Sequence, residues 1–210
     1  MPLTYGDMQT RIENELHRSD LATNNHITDA IKSAIKHFER ERWYFNEATT
    51  SSSLTTSAGL ATYALPSDFM KLDSLKITIN GWKNTVDPMP YNEMDARDAG
   101  NTATQGPPAW HAIYAEVLRL YPVPDGTYVQ TISYQKRLPT LSASTDTNAW
   151  VDDLESLIRK KAKEIICREV MVDYAQADQL LASIEQFEYP RARAENDERL
   201  FSGRLTSHSL

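Results

Sequence analysis

The stretch that most constrains this chain runs from Asn148 to Tyr174, NAWVDDLESLIRKKAKEIICREVMVDY. Its apolar spacing predicts one long helix. Asp152 or Asp153 can cap the start, accepting free main-chain N–H groups and complementing the positive end of the dipole. Helical winding places Leu154, Leu157, Ile158, Ala162, Ile165 and Val172 on one side. In the first half the opposite side is Arg159, Lys160 and Lys163, which read as a solvated face. From Ile166 onward the apolar residues Ile166, Cys167, Val170, Met171 and Tyr174 wrap most of the circumference. A helix that is amphipathic at one end and apolar nearly all round at the other packs on two sides. Ile166, Val170, Met171 and Tyr174 are therefore candidates for contact with another helix of the chain or with a neighbouring subunit. Glu169 lies within the apolar arc, so it is expected to be salt-bridged, to sit at the bundle edge, or to carry a raised pKa.

The flanking segments supply partners for this helix. Residues 4–18 predict a first helix with Thr4 as cap, Asp7 at the capping-box position, and a thin stripe of Met8, Ile12 and Leu16. Residues 19–27 read as polar loop. A second helix starts near Thr28, carries Ile31, Ala34, Ile35 and Phe38 on one face, and ends in Trp43-Tyr44-Phe45-Asn46. Consecutive aromatics at a helix end predict a plug in the bundle core.

After Asn46 the helical period vanishes. ATTSSSLTTS reads as an extended edge segment with a turn at Ala58-Gly59, and ATYALP and MKLDSLKITI read as strands. Asn80-Gly81 is a tight hairpin signal leading into WKNTV. Tyr91 to Asp98 suits a short helix, residues 99–108 a projecting loop, and WHAIYAE, EVLRLYP and TYVQTISYQ two or three further strands. Beyond the long helix, Leu180, Leu181, Ile184 and Phe187 continue a helical stripe until Pro190, which should break or kink it. The fold class is thus α+β, a mainly α-helical bundle with a small antiparallel sheet or sandwich inserted between the second and third helices. The boundaries are 1–46 and 149–200 for the bundle, 47–148 for the β insertion and 201–210 for a C-terminal tail. That tail, with Phe201, Leu205 and Leu210 as spaced anchors, is either a disordered end or an arm that docks on a partner.

The totals narrow the function. With 210 residues the chain suits one compact domain with an insertion, or two small ones. A net charge of −7 argues against a module that grips nucleic acid, although an acidic wall can let a polyanion slide past. One cysteine excludes an internal disulfide, and Cys167 among aliphatic residues reads as a small hydrophobe. The N-terminal residues lack the apolar core of a signal peptide and no stretch reaches membrane-spanning length, so synthesis in a cytoplasm is expected. No phosphate-binding glycine motif, zinc-binding HExxH or GxSxG nucleophile motif occurs, and the five histidines are scattered. Glu39 and Glu41 point to different faces of a helix and cannot share one substrate bond. No catalytic residue, cofactor or metal ligand is expected.

The order of motifs from Trp43 onward resembles phage head-to-tail adaptor proteins, the neck or head-completion proteins beneath the portal. The resemblance is carried by the aromatic helix end Trp43 to Asn46 and by Tyr63, Leu65, Pro66, Asp68 and Phe69 of a strand and turn. A Gly-Pro-Pro loop follows, then Leu120 to Asp125, then Tyr134, Leu138, Pro139 and Leu141, then Asp146 to Trp150 leading into the long helix. The resemblance spans most of residues 5–175. It implies a four-helix-type bundle with a β insertion, assembled with neighbouring copies as a ring of commonly about twelve on the portal protein. It further implies a virion protein that lets DNA pass without sequence-specific binding and receives a downstream tail or nozzle protein, with no membrane contact. Phe201, Arg204, Leu205 and Leu210 would then form the arm that reaches the portal. Two readings of other classes remain beside it. One is a virion-associated glycan hydrolase, with Glu169 as the perturbed acid. The other is a carbohydrate-binding module that stacks sugars on Tyr91, Trp110 or Trp82.

Overall fold

The computed structural model describes residues 3–18, 20–23, 25–50, 54–98 and 104–201. In chain order the elements are α1 (Tyr5–Leu16), α2 (Asp20–Thr23), α3 (His26–Phe38), a 3-10 turn at Tyr44–Asn46, β1 (Glu47–Thr50), β2 (Thr62–Ala64), β3 (Phe69–Ile79), β4 (Trp82–Thr85) and β5 (Asp87–Pro88). There follow α4 (Tyr91–Asp98), β6 (Trp110–Tyr114), β7 (Val117–Tyr121), β8 (Val129–Lys136), α5 (Ala149–Asp152) and α6 (Glu155–Ile165). A π turn over Ile166–Val170 leads to α7 (Tyr174–Ser183), and a second π turn over Ile184–Glu188 leads to α8 (Tyr189–Phe201). The chain divides into two compact units, 1–45 with 138–210, and 46–137.

The first unit is helical. Thr4 and Asp7 form the reciprocal capping box that opens α1. The thin stripe of α1 finds its partners in α3 and α6, so Met8 and Ile12 are fully buried. One short helix, α2, occupies part of the segment that reads as polar loop. The aromatic run plugs this core, with Trp43 fully enclosed and Phe45 packed against it. Residues 138–148 group with this unit too, whereas the sequence pattern assigns them to the insertion of 47–148. The main-chain N–H groups of Tyr5 and Gly6 donate to Asp146 O and Ser144 O at 2.8 Å each.

The long helix expected over 148–174 is three pieces. Asn148, not Asp152 or Asp153, caps the first, accepting from the Trp150 N–H at 3.1 Å. Asp153 instead accepts from the Tyr44 hydroxyl at 2.6 Å. After α6 the bonding widens into the π turn, and Val172 adopts a left-handed φ of 54° that ends the helix. Asp173 then caps α7 through the Gln176 N–H. Pro190 likewise does not end its helix. The π turn before it replaces i→i−4 bonding locally, so the proline's missing N–H interrupts no regular ladder.

The second unit holds two four-stranded sheets in the orders β1-β8-β3-β4 and β2-β7-β6-β5. The first is wholly antiparallel. The second departs from the antiparallel expectation, because β5 runs parallel to β6. Leu75, Ile77, Ile132 and Tyr134 of one sheet share a core with Tyr63, Leu118 and Leu120 of the other. A smaller cluster of Met89, Met94 and Ala112 sits under α4.

Candidate functional site

The region where α6 ends is built from a helix that must stop while still apolar. Ile166 and Cys167 are fully buried in the helical core, so Ile166 packs within its own chain. Met171 is half-buried against the same core. Val170 and Tyr174 are exposed, and they flank Val172, itself 59 % exposed. Reversal of the chain at Val172 thus turns part of the expected second apolar side outward and folds the rest in. The Cys167 thiol donates to Gln176 Oε1 at 3.4 Å, and burial pushes it up, away from thiolate chemistry.

The charges around α6 are organised rather than solvated. Arg159 and Lys163 both reach Glu15 of α1, and Arg159 also holds Glu155 at 2.7 Å. Lys160 bonds Glu188 at 2.7 Å and Ser183 at 3.0 Å. The cationic row therefore ties α6 to α1 on one side and to the α7–α8 run on the other. Glu169 lies exposed at the bundle edge. The buried acid is Glu164, which accepts from Arg168 Nε at 2.6 Å and Lys161 Nζ at 2.9 Å. Burial alone would raise its pKa, but those two cations outweigh burial and hold the carboxyl below its ordinary range.

Polar contacts seat α8. The Asn196 side chain, buried among them, accepts from the Tyr44 main-chain N–H at 2.8 Å and donates to Arg42 O at 3.3 Å. The Tyr189 hydroxyl donates to Glu41 at 2.8 Å, Arg193 lies over the Trp43 ring at 5.7 Å, and Arg199 lies over Tyr44 at 4.4 Å. Phe201 is the last residue of this helix, whereas Arg204, Leu205 and Leu210 lie outside the described residues. Phe187 is 67 % exposed, because the π turn adds a residue per turn and rotates it off the stripe that Leu180 and Ile184 follow.

In the β unit, a groove of about 370 Å³ is lined by Leu72, Leu75, Val86, Met89, Ala112 and His111, among others. His111 Nδ1 is 2.9 Å from Val86 O, and burial lowers its pKa. Of the three rings that could stack a sugar, Tyr91 packs on Tyr114 at 4.3 Å, Trp110 lies beneath Arg97, and Trp82 is 78 % exposed. Among the described residues no group of three or more His, Cys, Asp or Glu could hold a metal ion. Nor is any described helix long and apolar enough to cross a membrane.

The chain is thus two units whose distinguishing surfaces are exposed apolar side chains at a helix break and a hairpin edge. Compared with known protein families, residues 3–207 match the one described as SU10 adaptor protein. The chain belongs to that family. The adaptor is therefore a viral structural protein of the phage head-to-tail connector, acting in virion assembly. No curated protein matches it. The adaptor's exposed Val172 and Phe187 escaped sequence reasoning, since neither a π turn nor a left-handed valine leaves a periodic mark. Its Asn148 cap was legible as a residue type, but two nearby aspartates offered the same signal.

Proposed function

We propose that copies of this adaptor assemble beneath the portal protein as a ring, commonly of about twelve, that continues the DNA channel and receives a downstream tail or nozzle protein. The observation that carries this is the family match across residues 3–207. In this reading the helical unit is a bundle interrupted between its second and third principal helices by the β unit. Val170, Val172 and Tyr174 meet a neighbouring copy, as large apolar side chains left outside a monomer core commonly do. Residues 201–210, with Phe201, Arg204, Leu205 and Leu210, reach the portal. The net charge of −7 suits a wall past which DNA slides without being bound. The protein is made in the host cytoplasm and resides at the head–tail junction of the virion.

The test is the mass of the purified chain in solution, alone and after mixing with its portal. A monomer that becomes a stoichiometric ring on the portal is expected. A chain that stays monomeric and never associates with the portal would overturn the reading.

A further inference from the structure

The antiparallel sheet has two outer strands, β1 and β4, that differ in sequence and bury little. All four residues of β4 are exposed. Trp82 stands opposite Ile79, and Asn84 opposite the fully buried Ile77, so both belong to the core-side face of the sheet. Yet Trp82 is 78 % exposed. A tryptophan on the core side of an edge strand, left uncovered by the described residues, calls for a partner that extends the sheet.

We infer that β4 of one copy pairs antiparallel with β1 of the next, continuing the sheet from subunit to subunit. This rests on the ring-forming reading above and specifies one of its contacts. Four features of the strands agree on it. The sheet has four antiparallel strands, so a copy brought alongside by rotation, without turning over, presents β1 antiparallel to β4. The register that overlaps all four residues opposes Trp82 to Thr50 and Asn84 to Ala48. On β1 those are the core-side residues, since Ala48 stands opposite Tyr134 and Thr50 opposite Ile132.

The hydrogen-bonding groups also fall in step. The Val86 N–H donates to Leu75 O, and β3 and β4 are joined through the two-residue turn Asn80-Gly81. Alternation along the strand then directs the main-chain groups of Lys83 away from β3. On the far side, the Gln130 N–H donates to Leu54 O, which sets the alternation of β8 and directs the main-chain groups of Thr49 away from it. Lys83 and Thr49 are directly opposed in the four-residue register. Charge agrees as well, because the single charge on β4 is Lys83 and the single charge on β1 is Glu47, diagonal neighbours on the outer face. Pairing β4 with β4 of another copy cannot use all four residues, since full overlap would set Trp82 against Thr85 on the opposite face. Two different edges meeting head to tail is also the contact type that closes rings.

The experiment replaces Lys83 and Thr49 together by cysteine in the full chain. Within one molecule these positions lie three strand spacings apart, ~14 Å, beyond the roughly 7 Å reach of a disulfide. Cys167 is buried and does not compete. The chain is mixed with purified portal, oxidised mildly, and run on a denaturing gel without reductant. A ladder of covalent multimers is expected, absent from each single variant. A companion variant, Lys83→Pro, removes an outward N–H but no bond to β3. It should keep the wild-type circular dichroism and lose ring closure, and Trp82→Ala should weaken assembly at least about tenfold. A ring on the portal that gives no ladder and tolerates Lys83→Pro would overturn the edge pairing and leave the adaptor reading intact. A dimer from the Lys83→Cys single variant would overturn it in favour of β4 meeting β4. Wild-type chain that never assembles on the portal would overturn both.

Discussion

Trp43 and Trp150 meet edge to face with ring centroids 5.9 Å apart, and Phe45 completes the cluster at 4.9 Å from Trp150. Both tryptophans are essentially without solvent exposure. One closes the N-terminal helices and the other opens the C-terminal ones, so this cluster joins helices more than a hundred residues apart in the chain. The Trp43 indole N–H also donates to Phe38 O at 2.9 Å, which meets the polar requirement of burying a tryptophan.

Trp150→Ala should therefore cost about 3–5 kcal/mol, the range for emptying a large aromatic site that cannot collapse. Urea unfolding followed by far-ultraviolet circular dichroism reads this directly. A loss under about 1 kcal/mol would mean that the cluster does not join the two sets of helices.

Acid should loosen the α6 region through Glu164. Its carboxyl is held below the ordinary range, so it binds a proton less readily folded than unfolded. Its contribution is full above the unfolded value, and it disappears as pH falls through the depressed folded value. Glu188, lowered by its hydrogen bonds from Lys160 and Ser156, adds in the same direction. Unfolding midpoints should be flat in this respect near neutrality and fall below about pH 4. Glu164→Gln should flatten part of that acid slope. Its cost at pH 7 should be only about 1–2 kcal/mol, because Arg168 reaches solvent and keeps Asp178 as a second partner.

What the residues reveal by themselves follows from what leaves a local mark. Met8, Ile12 and Leu16 announce a helix face by spacing, and Thr4 with Asp7 announces its start. Asn80-Gly81 marks a hairpin because both residues adopt positive φ. The break at Val172 is different in kind. Nothing in valine favours a left-handed backbone; the Asp173 N–H, donating to Cys167 O at 2.8 Å, and the Asp173 cap accompany it, and the helical period runs on through the break. The same holds for Glu164 and Glu169. Both sit in one helical stretch of sequence, but only the fold decides which is enclosed, and the π turn that holds Glu169 shifts the phase. The alternation of Leu75, Ile77 and Ile79 makes the buried face of β3 legible, but not the uncovered face of Trp82, which depends on strand order.

Gly6 sits against residues 138–148 as closely as a backbone can. A Cβ there would lie 3.0 Å from both the Cβ and the carbonyl oxygen of Ser144. Gly6→Ala should cost about 1–3 kcal/mol, since main chain must shift to admit it. Gly126→Ala, whose added carbon would meet nothing nearer than 3.9 Å, serves as the comparison and should stay within about 0.5 kcal/mol of wild type. Equal midpoints for the two variants in urea would mean that the approach to Ser144 is looser than 3.0 Å.

Asn196 tests how α8 is held. The helix buries Ala192 but few other apolar groups, so its seat depends on the amide that joins Tyr44 N–H to Arg42 O. Asn196→Ala leaves a buried N–H and a carbonyl without these bonds, a loss of about 1–3 kcal/mol. Because the core of α1, α3 and α6 does not include this contact, the loss should appear locally. Amide hydrogen exchange in residues 189–201 should accelerate about five- to a hundredfold, while that of α3 changes far less. Asn196→Asp keeps an acceptor for Tyr44 but removes the donor to Arg42, and should fall between the two. Uniform acceleration across every helix would instead make α8 part of one cooperative unit with the bundle.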